Sequence, residues 1–303
     1  MTTHVAVLMG GWSAESDVSL ASGQACASAL RAAGFRVTEV RVDRKVATRL
    51  TDLRPDVCFN ALHGPIGEDG SMQGLLNVLG IPYTHSGVQA SALAMDKPRA
   101  KAVLARGGLR CPPGIVCAPR ELADAHSWEP PYVIKPVNQG SSVGVRIVRP
   151  GDNLPACGLS WEWGEKVLIE PYIPGRELTV GVLDGEALCV TEITSQRGFY
   201  DYDAKYRPGG SVHLLPAPLV DDVTREILAM AVRAHELLGC RGVTRSDFRL
   251  DETGPGTGNP FLLEINTQPG MTSTSLVPEQ AAHCGLSFPE LVSRLVESAQ
   301  CDP

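Results

Sequence analysis

Residues 243–270, VTRSDFRLDETGPGTGNPFLLEINTQPG, constrain the fold more than any other stretch of the chain. Two strand-like runs, 243–250 and 260–266, flank a loop rich in Gly, Pro, Asp and Asn, which predicts a β-hairpin. Side chains alternate between the faces of a strand, so Arg245 shares a face with Asp247, and Glu264 with Asn266. Folding about the middle of the loop sets Asp247 opposite Glu264 and Arg245 opposite Asn266, with Phe248, Leu263 and Ile265 on the other face. One face is therefore apolar, while the other gathers two carboxylates, an amide oxygen and a guanidinium. Mg²⁺ takes oxygen ligands, commonly one or two carboxylates completed by water and substrate phosphates. Asp247, Glu264 and Asn266 supply three such groups. The same pattern fits the solvated face of an edge hairpin, and the residues alone leave both readings open.

The rest of the chain bounds the setting. With 303 residues and 43% hydrophobic content there is enough chain for a large core and two or three domains. A net charge of −7 argues against a nucleic-acid surface. Nine cysteines, an odd number with no C-x-x-C pair, read as reduced thiols rather than as a disulfide frame or a zinc site. The opening MTTHVAVLMGG has no basic segment ahead of its short apolar run, and no run reaches the roughly 18 apolar residues of a membrane span. A soluble cytoplasmic protein is expected.

The N-terminal third reads as strand (5–9), helix (capped by Ser16 and closed by Gly34) and strand (35–42), the opening of a doubly wound parallel sheet. Ligands gather at the C-terminal ends of such strands, where Glu15 falls. No G-x-G-x-x-G is present, and Glu15 equally suits a helix start. His63 opens HGPIGEDG, which reads either as a ligand loop or as a capping turn before a helix over 71–79. Asp96 caps a helix to Arg106, and Lys97 on its own reads as a surface lysine. Strands 132–136 and 145–148 enclose a small-residue loop whose amides, with Lys135, can cradle phosphate oxygens. Pro171–Glu177 reads as a stiff hinge, and a hairpin over 177–193 turns at Asp184-Gly185. The aromatic, charged and aperiodic stretch 195–208 reads either as a functional lid or as a disordered excursion, and its aromatics argue against full disorder. Helices over 221–238 and 289–299 complete the chain.

Eight pieces in order resemble the ATP-grasp superfamily, and within it the D-alanine–D-alanine ligase family. They are the loop with Glu15, HGPIGEDG, Met95-Asp96-Lys97, IKPVNQGSSVGV, the Glu170–Glu177 connector, YDYDAKY, RSDFRLD and LLEINTQPGMTSTSL. Together they span about residues 5 to 296. The resemblance implies a mixed α/β ATP-grasp fold in three domains. A doubly wound parallel domain (1–86) would precede two domains (87–174 and 175–303) that clamp ATP. It implies phosphorylation of one D-alanine by ATP, attack by the amine of a second, and a dipeptide for peptidoglycan precursors.

The roles it implies are these. Lys97 and Lys135 touch nucleotide phosphates under a flap containing Ser141, Ser142, Val143 and Gly144. Glu170, Tyr172 and Ile173 line the adenine site, with Glu177 on the ribose and Phe199 beside the base. Asp247, Glu264 and Asn266 hold two Mg²⁺ or Mn²⁺. Glu15 and His63 face the first D-alanine, and Glu15, Ser141 and Tyr206 form a triad closing the lid, with Lys205 near the transferred phosphate. Arg245 and the Gly270 amide stabilise the tetrahedral oxyanion, while Ser275 and the Leu276 amide take the second carboxylate. A homodimer through the first domain is also implied. Asn138 and Gln139 stand where the family commonly has charged residues, and Ser246 is assigned no role. Tyr206 argues against a D-alanyl-D-lactate product, and no motif identifies the general base for the attacking amine.

Overall fold

The computed structural model describes residues 2–123, 128–140, 143–152, 161–195, 210–254, 258–272 and 274–302. Its first sheet is parallel, in the order β2-β1-β3, formed by β1 (His4–Gly10), β2 (Arg36–Val42) and β3 (Val57–Asn60). β1 is buried along its whole length, as HVAVLMG requires. Val5, Val7 and Met9 join the core under α1 (Ser16–Ala32), whereas Ala6 and Leu8 join the one under α2 (Val46–Leu53) and α3 (Ser71–Leu79). Both faces are covered, which is the doubly wound arrangement. Ser16 is the first residue of α1 and not its cap: Glu15 takes the N-cap position, and Ser16 Oγ donates to Gly11 O at 3.2 Å.

Two helices follow. α4 (Val88–Met95) was not expected, because VQASALAM lacks a charged face to mark a helical period. α5 (Lys97–Arg106) was, and Asp96 caps it by accepting from Arg99 N at 3.1 Å. A four-stranded antiparallel sheet comes next, in the order β4-β7-β5-β6, from β4 (Ile115–Cys117), β5 (Tyr132–Pro136), β6 (Arg146–Val148) and β7 (Val167–Pro171).

The third sheet is a five-stranded antiparallel one in the order β10-β9-β8-β11-β12. Its members are β8 (Arg176–Leu183), β9 (Glu186–Ser195), β10 (Ser211–Leu214), β11 (Val243–Asp251) and β12 (Asn259–Asn266). Phe248, Leu262 and Ile265 share a core with residues of α4, α5 and α6 (Asp221–Leu237). α7 (Leu276–His283) and α8 (Phe288–Glu297) are the last helices of the described residues. A capping box between Ser287 and Glu290 starts α8, and its Leu291 and Leu295 reach back to the core of β1 and α1.

The hairpin pairs as the alternation requires, Arg245 with Asn266 and Asp247 with Glu264. A bulge between Asp247 and Phe248 then puts Leu262 opposite Phe248. Leu262, not Leu263, is therefore the core residue, and Leu263 turns toward a cavity on the polar side. Beyond α8 the chain returns to the first sheet, where Gln300 bridges Tyr83. The Asp302 carboxylate accepts from Val88 N at 2.8 Å and Asn77 Nδ2 at 3.1 Å, and lies 2.5 Å from Arg241 Nη1. Gly87 is packed so closely there that a Cβ would stand 1.9 Å from Asp302 Oδ1. Among the described residues no helix is long and apolar enough to cross a membrane, and eight cysteines are free.

Candidate active site

The polar face of the β11–β12 hairpin is held from three sides. Arg245 donates to Asp247 at two points, Nε to Oδ1 and Nη2 to Oδ2, each at 2.8 Å. Thr179, opposite Asp247 on β8, donates its hydroxyl to Oδ1 at 2.7 Å. The buried Gln280 of α7 fixes that strand in turn. Its Oε1 accepts from Gly181 N at 2.6 Å, and its Nε2 donates to Thr179 O at 3.1 Å and Thr191 Oγ1 at 2.9 Å. Asn266 Oδ1 accepts from Gln268 N at 2.7 Å. The Gln268 amide exchanges hydrogen bonds with Asn60 of β3, tying the hairpin to the first sheet.

Two carboxylates and an amide oxygen on one face fit a hard cation, since the bonds they make leave further oxygen lone pairs. Among the described residues no three His, Cys, Asp or Glu side chains converge on one point, this face included, so its third oxygen donor is the Asn266 amide.

A cavity of about 430 Å³ opens over this face. Its walls bring together Glu15, His63, Lys97, Arg245, Glu264, Asn266, Gly270, Ser275 and Leu276, drawn from the first sheet, α5, the hairpin and the start of α7. His63 is buried, with Nδ1 3.2 Å from Glu68 Oε1 and Nε2 3.2 Å from Ser22 Oγ. Ser22 also accepts from Met271 N at 3.3 Å, so α1 holds the histidine and the Gly270 loop at once. Glu15 is buried beside the glycine-rich loops: a Cβ on Gly64 would stand 2.7 Å from Glu15 Oε2, and one on Gly140 3.7 Å from the same oxygen. Ser275 takes the N-cap position of α7, its Oγ 2.8 Å from Thr272 Oγ1. Sequence reasoning missed Ser22 and gave Glu68 no role, although Glu68 is one of the two acids in HGPIGEDG.

A smaller cavity of about 110 Å³ lies between the four-stranded sheet and the hairpin. It gathers Lys135, Glu170, Tyr172, Ile173, Glu177 and Asp247, and shares Lys97, Gln139 and Glu264 with the larger one. Lys97 is not a surface lysine: it is 7% exposed, donates to Gln139 O at 2.6 Å and lies 3.4 Å from Glu264 Oε2. Glu170, 2% exposed, meets two ammonium groups, Lys135 at Oε2 (2.6 Å) and Lys101 at Oε1. Burial first, then repulsion from Lys135, pushes Lys101 down to about 8 against the pull of Glu170. Arg249 braces the connector: Nε donates to Ile173 O at 3.1 Å, Nη2 donates to Tyr172 Oη at 2.9 Å, and Nη1 lies 3.5 Å from Glu177.

Arg249 and Lys101 were both missed, yet each carries a positional signal. Arg249 continues the alternation of Arg245 and Asp247, and Lys101 lies one helical turn beyond Lys97. Val143 donates its amide to Gly140 O at 3.0 Å and lines neither cavity. Ser141, Ser142, Phe199, Lys205 and Tyr206 lie outside the described residues.

Residues 121–297 match the family described as D-ala D-ala ligase C-terminus, and residues 39–86 match D-ala D-ala ligase N-terminus. A D-alanine–D-alanine ligase of Methylobacterium radiotolerans is 58% identical over 303 residues, 99% of each chain. One from Parvibaculum lavamentivorans is 56% identical, over 99% of this chain and 98% of its own. The crystal structure of D-alanine–D-alanine ligase from Bacillus anthracis superposes with a TM-score of 0.85 at 31% identity, covering 98% of this chain and 97% of that one. The structure of the Bacillus anthracis enzyme complexed with ATP gives 0.83 at 28%, with the same coverage. With full-length relatives at these identities, and with both halves matched, this chain belongs to the D-alanine–D-alanine ligase family.

Proposed function

We propose that this protein joins two D-alanines at the expense of ATP, through a D-alanyl phosphate, to supply the dipeptide of peptidoglycan precursors in the cytoplasm. The observation that supports the reading is the wall the two cavities share at Lys97, Gln139 and Glu264; in this reading the smaller cavity takes the phosphates and the larger one the amino acids. The related enzyme with ATP bound supports nucleotide use.

In this reading the chain works as three units, 1–86, 87–174 and 175–303. The nucleotide enters the smaller cavity between the second and third. Ligand pockets are commonly roughly 300–1,000 Å³, so in this reading the opening of about 110 Å³ widens when the nucleotide enters. Glu170, Tyr172 and Ile173 receive the base, Glu177 the ribose, and Lys97 and Lys135 the phosphates, with the 141–144 loop above them. Asp247, Glu264 and Asn266 would hold Mg²⁺ or Mn²⁺, which screens the phosphate oxygens during transfer.

Glu15 and His63 orient the first D-alanine in the larger cavity. Its carboxylate oxygen takes the γ-phosphoryl group as the bond from that phosphorus to the bridging oxygen breaks and ADP is released. The amine of the second D-alanine then attacks the carbonyl carbon, the C–N bond forms, the C–O bond to phosphate breaks and phosphate leaves. Arg245 and the Gly270 amide face the oxyanion, a role in which fixed donors contribute most. Ser275 and the N-terminal amides of α7 receive the second carboxylate, where the helix dipole favours an anion. Ser141, Lys205 and Tyr206 complete the lid, and a homodimer through the first unit completes the assembly.

The test is ADP release with Mg-ATP and D-alanine, with L-alanine and D-lactate in parallel. Release that requires D-alanine and ignores L-alanine is expected. Nucleotide binding without release on any of the three would overturn the reading.

A further inference from the structure

Glu170 has more cationic company than one carboxylate needs. Its two oxygens are divided between Lys101 on α5 and Lys135 on β5, and all three side chains are buried. Lys135 and Glu170 line the smaller cavity, while Lys101 does not and stands behind its wall. A buried ammonium group is costly without a counter-charge, and a buried carboxylate equally so. Within this buried trio one ammonium is unmatched, and of the two lysines it is Lys135 that lines the cavity and can turn to a polyphosphate. Lys135 has the same carboxylate as its ion-pair partner, so it can turn to a phosphate only by leaving Glu170. If it were the sole cation there, its departure would strand a buried negative charge.

We propose that Lys101 is a positioning residue for nucleotide binding: it keeps hold of Glu170 when Lys135 leaves for the polyphosphate, and so presents the freed carboxylate oxygen to the amino group of adenine. This rests on the assignment of the smaller cavity to ATP. It also makes Lys101 a determinant of base choice. A carboxylate held in place accepts from the 6-amino group of adenine and repels the 6-oxo group of guanine. The i, i+4 placement of Lys97 and Lys101 on α5 puts the lysine that lines the cavity and the one that holds Glu170 on a single helix.

Lys101→Met removes the second cation and leaves Lys135 and Glu170 as a neutral pair. Lys135 is then retained by Glu170 and lost to the nucleotide. The KM for ATP should rise about tenfold to a hundredfold, the span of a lost charge-assisted contact. The KM for D-alanine should stay within about twofold, and the preference for ATP over GTP should shrink. Lys101→Arg should restore the ATP KM.

The effect should also vanish in a Glu170→Gln background, where no stranded charge remains, and this double-mutant cycle separates positioning from mere packing. An unchanged ATP KM in Lys101→Met, or an equal rise with and without Glu170→Gln, overturns the proposal. Should Lys101→Met not fold, Lys101→Gln reads the same comparison, and an unchanged ATP KM there also overturns it. Absence of D-alanine-dependent ADP release in the wild type would instead refute the proposed function. Calorimetric ATP binding by wild type and Lys101→Met then decides the role of Lys101 separately, equal affinities overturning it.

Discussion

Arg245 and Asp247, two residues apart on β11, face each other through a planar two-point ion pair with both contacts at 2.8 Å. The fork matches the carboxylate in a way one ammonium group cannot. Arg245→Lys should therefore lower kcat by about 10²- to 10³-fold, the cost of losing one fixed oxyanion donor. The KM for ATP should rise as well, because the fork also fixes Asp247, which lines the smaller cavity. Steady-state kinetics with each substrate varied in turn checks both.

Glu264→Gln and Asn266→Ala should both abolish turnover yet differ in stability. Asn266 Oδ1 accepts from Gln268 N, and its loss should cost about 1 kcal/mol. Glu264 faces the buried Lys97 ammonium at 3.4 Å, so its replacement by an amide leaves that charge without its carboxylate and should cost more, about 1–3 kcal/mol. Urea denaturation measures the difference, and Mn²⁺ binding in the presence of a non-hydrolysable ATP analogue should fail in both.

The pH dependence of stability carries the signature of Lys101. Its value in the folded protein, about 8, lies below the ordinary 10.5 through burial and the neighbouring Lys135. The unfolded chain thus binds more protons between these values, and this group makes stability rise with pH across that window. Glu170, Lys135 and Cys111 are the charged or titratable groups facing it. Relative to Lys101→Met, the wild type should gain stability from pH 8 to pH 10.5. Denaturation curves of the two proteins at both ends of the range test this.

Asp302 has the opposite sign. Burial raises its carboxyl, but the Val88 amide, Arg241 and Asn77 outweigh that and hold it below the usual carboxylate range. Its stabilisation is therefore present above about pH 4 and is lost as the pH falls through the lowered value. Asp302→Ala should cost about 1–3 kcal/mol at neutral pH. The difference from wild type should narrow in acid, as read by thermal unfolding at pH 7 and pH 3.

The hairpin register was legible because period-2 alternation and a loop of turn residues admit one pairing that leaves an apolar face. The bulge at Asp247/Phe248 was not, since nothing in PFLLEIN says which leucine gives way, and so Leu263 was put in the core. The burial of Lys97 was equally hidden, because it depends on Gln139 and Glu264 arriving from distant parts of the chain. α4 escaped because its helix has no solvent-facing charge to mark a period. Arg249 lay on the recognised face and was passed over for lack of a contact to assign it. Local pattern thus exposed the groups on one strand face, while partners 42 or more residues away stayed out of reach.

Gln280 has a consequence for how such a chain can change over generations. One side chain on α7 is bonded to β8 at Gly181 and Thr179, and Thr179 holds Asp247. The helix that begins at Leu276 and the carboxylate on β11 are therefore adjusted together. A substitution that moves α7 to admit a different second substrate also moves Asp247. Variants with new acceptor preference should then be reached through paired replacements on α7 and β8, and their effects will depend on the order in which they arise.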